Sequence, residues 1–237
     1  MSSAVLPFSA YPCIRTVDSF AALAATPFAD GVNALCWPRP LPEGFAEIVA
    51  QLGPGEGLVA LDEARLRALP VGAAASPAID LLLADLERLR ALDLDPVLNL
   101  IHGYPRDDAP GPVATDVFSF HADSAPVPAD TWLCTYHGPP SEGLPHAEAL
   151  RRVDDPATRA ALLRDYGGPD DAGFREHLHE NCYDLHYAPQ PGARPWSFGV
   201  GHLWRIATEY PGSPVPPCVH RAPTPPPGAP PRLLLIA

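Results

Sequence analysis

The sequence predicts an α+β fold in which helices and strands of an N-terminal part support a β-sandwich or small barrel. Three observations predict it. Residues 1–95 alternate helical and extended patterns, short strands between glycine and proline turns follow from Pro96, and a segment with two helical patterns interrupts these strands. With 237 residues, 46% of them apolar, the chain is long enough for one domain around one substantial core.

The N-terminal part is predicted as a mixed support. Residues 18–25 have a helical pattern, residues 32–37 are predicted as extended, and residues 41–52 as a helix with Pro42 in its first turn. The clearest helix begins with Ser76 as N-cap, followed by Pro77. Its apolar face consists of Ile79, Leu82, Leu83, Leu86, Leu89 and Leu92, and its polar face of Asp85, Glu87, Arg88 and Arg90. We expect the apolar face to pack against a sheet.

Short strands dominate after Pro96. Six are predicted, at residues 97–102, 113–121, 131–137, 196–206, 218–221 and 232–236. A helical insert at about 143–190 separates the third from the fourth, with helices predicted at 155–166 and 170–180. The proline-rich stretch 225–231 is predicted as a loop. We therefore expect a single domain over 1–237, with residues 1–95 as support and residues 96–237 as a β-rich core.

Composition excludes several classes of function. A formal charge of −12 without an Arg cluster disfavours a nucleic-acid or anionic-membrane partner. Residues 1–13 lack the pattern of a signal peptide, and no apolar stretch has the length of a membrane span. Five scattered cysteines without CxxC spacing fit a reducing compartment. We expect a cytoplasmic protein, and its oligomeric state is not determined by the sequence.

The sharpest local signal is His121-x-Asp123 at the end of a predicted strand. Residues two apart on an extended chain point to the same side, so this pair can bind one ion. His220, on a late strand after the insert, can supply a third ligand. Two histidines and one carboxylate form a facial triad that leaves positions open on Fe(II) for a chelating cosubstrate and O2. His-x-Asp also arises by chance, and nine histidines offer many accidental partners.

Arg232 follows His220 after the proline-rich stretch. Its planar guanidinium matches a carboxylate through two parallel hydrogen bonds, so Arg232 can anchor the distal carboxylate of 2-oxoglutarate. The alternative is a surface arginine at the start of a strand.

His121-x-Asp123, a long gap, His220 and then Arg232 together resemble the signature of the Fe(II)/2-oxoglutarate-dependent dioxygenase superfamily. The segments 120–123, 132–144 and 219–223 look like a poorly characterised bacterial oxygenase-like family. The resemblance covers residues 96–237 and implies a double-stranded β-helix, or jelly-roll, core. The chain departs from the plant-type pattern at Leu234, where that pattern has a serine two residues after the arginine.

The resemblance implies Fe(II) and 2-oxoglutarate as cofactors. The reaction would hydroxylate a small-molecule or amino-acid-like substrate with O2 and release succinate and CO2. Tyr136 and Asn99 are candidates for a hydrogen bond to 2-oxoglutarate, and Thr135, Arg221 and His179 for the substrate pocket. For each, a polar tip that reaches solvent is the alternative.

Two other hypotheses stay open. In the first, the chain is a cupin-like metalloenzyme that does not use 2-oxoglutarate. In the second, it is a jelly-roll binding protein without catalytic activity. A rival metal site is offered by residues 177–186, which contain His177, His179, Cys182, Asp184 and His186. On one helix these side chains would not converge, so we expect that segment to be a helix end that is solvated or covers the site.

Overall fold

The computed structural model describes residues 8–106, 111–226 and 228–237, so residues 1–7 and Pro227 of the predicted loop lie outside the described residues. This part of the chain has a mixed α+β fold with two β-sheets. Its α-helices are α1 (Phe20–Ala25), α2 (Phe45–Leu52), α3 (Glu63–Arg67), α4 (Ser76–Arg90), α5 (Pro156–Tyr166) and α6 (Ala172–Glu180). Among these described helices, none combines the length and apolar character needed to span a membrane.

The strands of the larger sheet run in the spatial order β1-β2-β11-β6-β13-β4-β3. They are β1 (Ile14–Thr16), β2 (Ala34–Trp37), β3 (Leu58–Leu61), β4 (Val97–Ile101), β6 (Asp130–His137), β11 (Leu203–Ala207) and β13 (Arg232–Ile236). The pair β1 and β2 is parallel and the other neighbours are antiparallel. Helices α1 to α4 cover one face of this sheet through a shared apolar core.

The smaller sheet runs in the order β10-β7-β12-β5-β9-β8 and is antiparallel. Its strands are β5 (Phe120–His121), β7 (Glu142–Leu144), β8 (Ala149–Arg151), β9 (His186–Pro189), β10 (Trp196–Ser197) and β12 (Val219–Arg221). Side chains alternate between the faces of a strand. In β6, Trp132 and Cys134 therefore join the helical side, whereas Leu133 joins a second core with Trp196 of the smaller sheet. The second core fills the space between the sheets.

Several predicted elements coincide with the structure. The predicted strand 232–236 is β13, and α5 begins after Asp155, whose side chain accepts a hydrogen bond from the Thr158 backbone N–H. Helix α4 covers the predicted leucine face, although its N-cap is Ala75 and not Ser76. Leu92 lies beyond its end and is 40% exposed.

Other boundaries were wrong. The predicted strand 113–121 is reduced to β5 because a turn around Asp116 precedes it, and Val113 packs with the insert helices instead. The predicted strand 196–206 is two strands in different sheets, β10 and β11, since Gly199 and Gly201 between them have positive φ. Helix α2 starts at Phe45, so Pro42 precedes it. The insert contains β8 and β9 in addition to its helices.

Asp85 was expected on the solvent face of α4, and this expectation was wrong. Its side chain is fully buried against the larger sheet. Its carboxylate pairs with Arg39, accepts a hydrogen bond from Arg88 at 2.6 Å, and accepts another from the Tyr136 hydroxyl at 2.7 Å. The buried charge is therefore matched by two cations and one hydroxyl.

Candidate metal centre

Short elements of the smaller sheet position three candidate ligands. The Asp116 side chain accepts hydrogen bonds from the backbone N–H groups of Phe118 and Ser119, which forms the turn that leads into β5. His121 ends β5 and pairs with His220 of β12 in the antiparallel register. Residues paired in this way share a face and have close Cβ atoms. Asp123 follows two residues after His121, on the same side.

The structure brings His121, Asp123 and His220 together. One candidate ligand atom from each lies within 4.8 Å of the others. The His121 Nε2 atom is 3.8 Å from Oδ1 of Asp123, and the His220 Nε2 atom is 3.7 Å from Oδ2. Two imidazole nitrogens thus surround one carboxylate, as a facial set requires.

The second nitrogen of each histidine ring has a partner. The Nδ1–H of His121 donates to the Ser119 carbonyl at 2.8 Å, and that of His220 donates to the Cys218 carbonyl at 3.3 Å. In both rings Nδ1 is thus the donor to the backbone and Nε2 is the nitrogen directed at the centre, as in metal-bound histidines. The Thr131 hydroxyl donates to Oδ2 of Asp123 at 2.5 Å and orients the carboxylate.

Electrostatics favour ligands without protons. Burial, together with the neighbouring His220, lowers the pKa of His121 to about 4. Burial raises the pKa of Asp123, but His220, the Thr131 hydroxyl and His121 outweigh burial, so the net shift is downward. Near neutral pH, His121 is therefore neutral and Asp123 ionised, which are the forms that bind a divalent cation. The donor set fits Fe(II).

Arg232 lies in the interior between the sheets and is only 5% exposed. Its guanidinium donates to the hydroxyls of Tyr104 and Ser141, each at 2.9 Å, and to that of Thr135 at 3.5 Å. Its Nε is buried and has no hydrogen-bond partner in the part of the chain that the structure describes. Within the described ranges no carboxylate lies within 4.0 Å of this cation. A cavity of about 310 Å³ beside it is lined in part by Tyr104 and Phe118.

Strand alternation decides which other candidates share this interior. Thr135 does, since it contacts Arg232. Asn99 is on the same face of β4 as Ile101, the residue paired with Arg232. Tyr136 does not: it packs on the helical side against Phe45 and donates to Asp85. The Tyr136 side chain therefore points away from the space between the two sheets. The prediction that Tyr136 binds 2-oxoglutarate was wrong for this reason.

Two proposed pocket residues lie away from the triad. Arg221 is on the outer face of the smaller sheet, where it pairs with Glu142 at 2.6 Å and stacks over Phe120. His179, on α6, has a 70% exposed side chain, 3.4 Å from Asp184. His179 and Asp184 line a cavity of about 510 Å³ that reaches Ser124, next to Asp123.

The rival cluster 177–186 does not converge on one point. His177, on α6, lies against Tyr166 at the end of α5, whereas His186 is on β9 and pairs with His121. Three residues that contact the site, Thr131, Tyr104 and Ser141, were not among those predicted from the sequence. Thr131 could have been predicted, because residues 131, 133 and 135 alternate along one strand and therefore lie on the same face. Tyr104 and Ser141 come from turns without a recognisable pattern.

No protein-family model, curated protein or solved structure matches this chain. The candidate site is therefore supported by the geometry of its own residues.

Proposed function

We propose that this chain is a non-haem Fe(II) oxygenase that uses 2-oxoglutarate and O2 to hydroxylate a small-molecule or amino-acid-like substrate. The observation that carries the proposal is Arg232, a buried cation held by three hydroxyls in the same interior as the His-Asp-His triad. A buried charge without an opposite charge is unfavourable. A bound carboxylate would remove that cost.

The path of the chain supports a double-stranded β-helix core. From β4 to β7 successive strands alternate between the larger and the smaller sheet, and from β10 to β13 they alternate again, starting in the smaller one. The inner larger-sheet strands are ordered β4-β13-β6-β11, and their counterparts β5-β12-β7-β10. This interleaved order is the topology that the family resemblance implies.

The strand register supports a separation between Arg232 and the triad that suits a short dicarboxylate. Ser141, which contacts Arg232, is two residues before Gly143, and Gly143 pairs with His220. Two residues along a strand span about 7 Å, and neighbouring strands lie about 5 Å apart. A five-carbon keto acid can therefore contact Arg232 with one end and the metal position with the other. The Ser141 hydroxyl, 2.9 Å from the Arg232 guanidinium, can donate to the same carboxylate.

Each residue of the proposed site has its own role. His121, Asp123 and His220 hold the ion, Thr131 orients Asp123, and Arg232 holds the distal carboxylate of the cosubstrate. When bound, Fe(II) with 2-oxoglutarate supplies O2 activation coupled to loss of CO2 and formation of succinate.

The proposal is tested by anaerobic titration of the Fe(II) protein with 2-oxoglutarate. Binding is monitored through the visible metal-to-ligand charge-transfer band. We expect the band in wild type. His121→Ala should lose metal and band, whereas Arg232→Ala should keep Fe(II) and bind 2-oxoglutarate at least tenfold more weakly. Arg221→Ala is the matched control, since its guanidinium faces outward, and should behave as wild type.

Three results would contradict the proposal. An unchanged 2-oxoglutarate affinity in Arg232→Ala would remove the role of the buried arginine. Metal binding without any band in wild type would favour the cupin-like enzyme that needs no keto acid, and absence of metal binding would favour a non-catalytic protein.

A further inference from the structure

A third histidine continues the row formed by the two candidate ligands. Across the smaller sheet, Gly143 pairs with His220, His220 with His121, and His121 with His186. Directly paired residues share a face, so all of them face the interior. The ring centroids of His121 and His220 are 4.7 Å apart, and those of His121 and His186 are 5.7 Å apart. His186 thus lies on the side of His121 away from His220.

The row also has a direction relative to Arg232. Ser141, which contacts Arg232, is on β7's side of His220, whereas His186 is on β9, at the other side of β5. The proposed cosubstrate position and His186 therefore lie on opposite sides of the triad. A ligand that occupies the triad position away from Arg232 would be next to the His186 ring.

His186 differs from both ligand histidines in its hydrogen bonding. It is 4% exposed, and its buried Nδ1 has no partner among the described residues, whereas the Nδ1 atoms of His121 and His220 donate to backbone carbonyls. A buried polar nitrogen without a partner is unfavourable, and a bound ligand would satisfy it.

A neutral imidazole carries one N–H donor and an imidazolium carries two, so His186 can donate a hydrogen bond in either state. Its ring nitrogens do not belong to the set of candidate ligand atoms within 4.8 Å of one another. It lines a cavity of about 260 Å³ together with His121, Asp123 and Cys182.

We propose that His186 donates a hydrogen bond from its imidazole N–H to the exogenous ligand bound at the metal position away from Arg232. This proposal rests on the metal centre of the proposed function. It makes His186 a ligand-binding residue for O2 or another small oxygen- or nitrogen-donor ligand, and not a fourth metal ligand.

The test uses Co(II) as the metal and azide as the ligand, and both are followed by the visible absorption of Co(II). Wild type should bind Co(II) and then azide. His186→Phe and His186→Leu, which lack the donor, should bind azide roughly 10- to 100-fold more weakly, as expected for loss of a hydrogen bond to a charged group. Their Co(II) affinity should stay within about twofold of wild type, and His186→Gln, which keeps an N–H donor, should recover part of the azide affinity.

His202→Phe is the control, because His202 is a partly buried histidine whose Nδ1 accepts a hydrogen bond from the Arg39 backbone at 3.4 Å, away from the triad. Unchanged azide affinity in both donor-free variants would overturn the inference and leave the metal centre intact. Loss of Co(II) binding in a folded His186 variant would make it a metal ligand and also overturn the inference. A wild type that binds no Co(II) would overturn the inference and the proposed function together.

Discussion

Thr131→Val removes one hydrogen bond from the proposed metal site and leaves all three proposed metal ligands in place. The Thr131 hydroxyl donates to Oδ2 of Asp123 at 2.5 Å, and the Thr131 side chain is buried. A hydrogen bond to a charged group contributes about 1.5–3 kcal/mol, so its loss should weaken Co(II) binding roughly 10- to 100-fold. The dissociation constant is measured by competition with a chelator of known affinity.

Thr135→Val is the matched control for this experiment. Thr135 is on the same strand and the same face, and is equally buried, but its hydroxyl lies 3.5 Å from Arg232. Thr135→Val should therefore keep the Co(II) affinity of wild type. Equal Co(II) affinities in wild type and Thr131→Val would refute the argument that Asp123 needs this hydroxyl to bind the ion.

Three further predictions concern stability. Because the pKa of His121 is about 4 in the folded state and 6.5 ordinarily, the unfolded chain binds more protons between these values. The His121 titration should therefore lower the free energy of unfolding of the metal-free protein by about 3 kcal/mol as the pH drops from 6.5 to 4; urea unfolding measures this contribution as the difference between wild type and His121→Gln, and equal pH dependences would contradict it. Asp85→Ala leaves the buried Arg39 without its carboxylate and should cost about 3–5 kcal/mol in thermal or urea unfolding, whereas Arg88→Ala, at a partly exposed side chain, should cost less than about 1 kcal/mol. A Cβ at Gly143 would overlap a tryptophan ring, so Gly143→Ala should cost about 1–3 kcal/mol, whereas Gly103→Ala, with open space around it, should be neutral by the same measurement.

Local spacing predicted those parts of the site that depend on one segment. The alternation of an extended chain places His121 and Asp123 on one side whatever the rest of the fold does. The same reasoning could not predict the partners of Asp85, because Arg39 and Tyr136 come from distant segments and reach it only through tertiary packing.

The placement of His220 within the triad, and of Arg232 in the same interior, required the topology of two sheets. The sequence offered both residues only as candidates, to which the family resemblance added, since no local pattern relates them to His121. Ser141 and Tyr104 contact Arg232 from turns, where no periodicity reports which way a side chain points. Hydroxyl partners of a buried charge are therefore the part of such a site that a sequence reveals least.

The shortness of the strands that carry the triad has a mechanical consequence. Strand β5 has two residues and β12 has three, and they meet through one paired position, His121 with His220. An ion held by both would join residues about 100 positions apart in the chain, and because the unfolded chain does not form this site, the free energy of binding the ion would add to the stability of the folded state. The ion would then hold the strands of the smaller sheet together. When a chelator removes it, amide hydrogen exchange should increase first in the smaller sheet, while the larger sheet, which is covered by helices, stays protected.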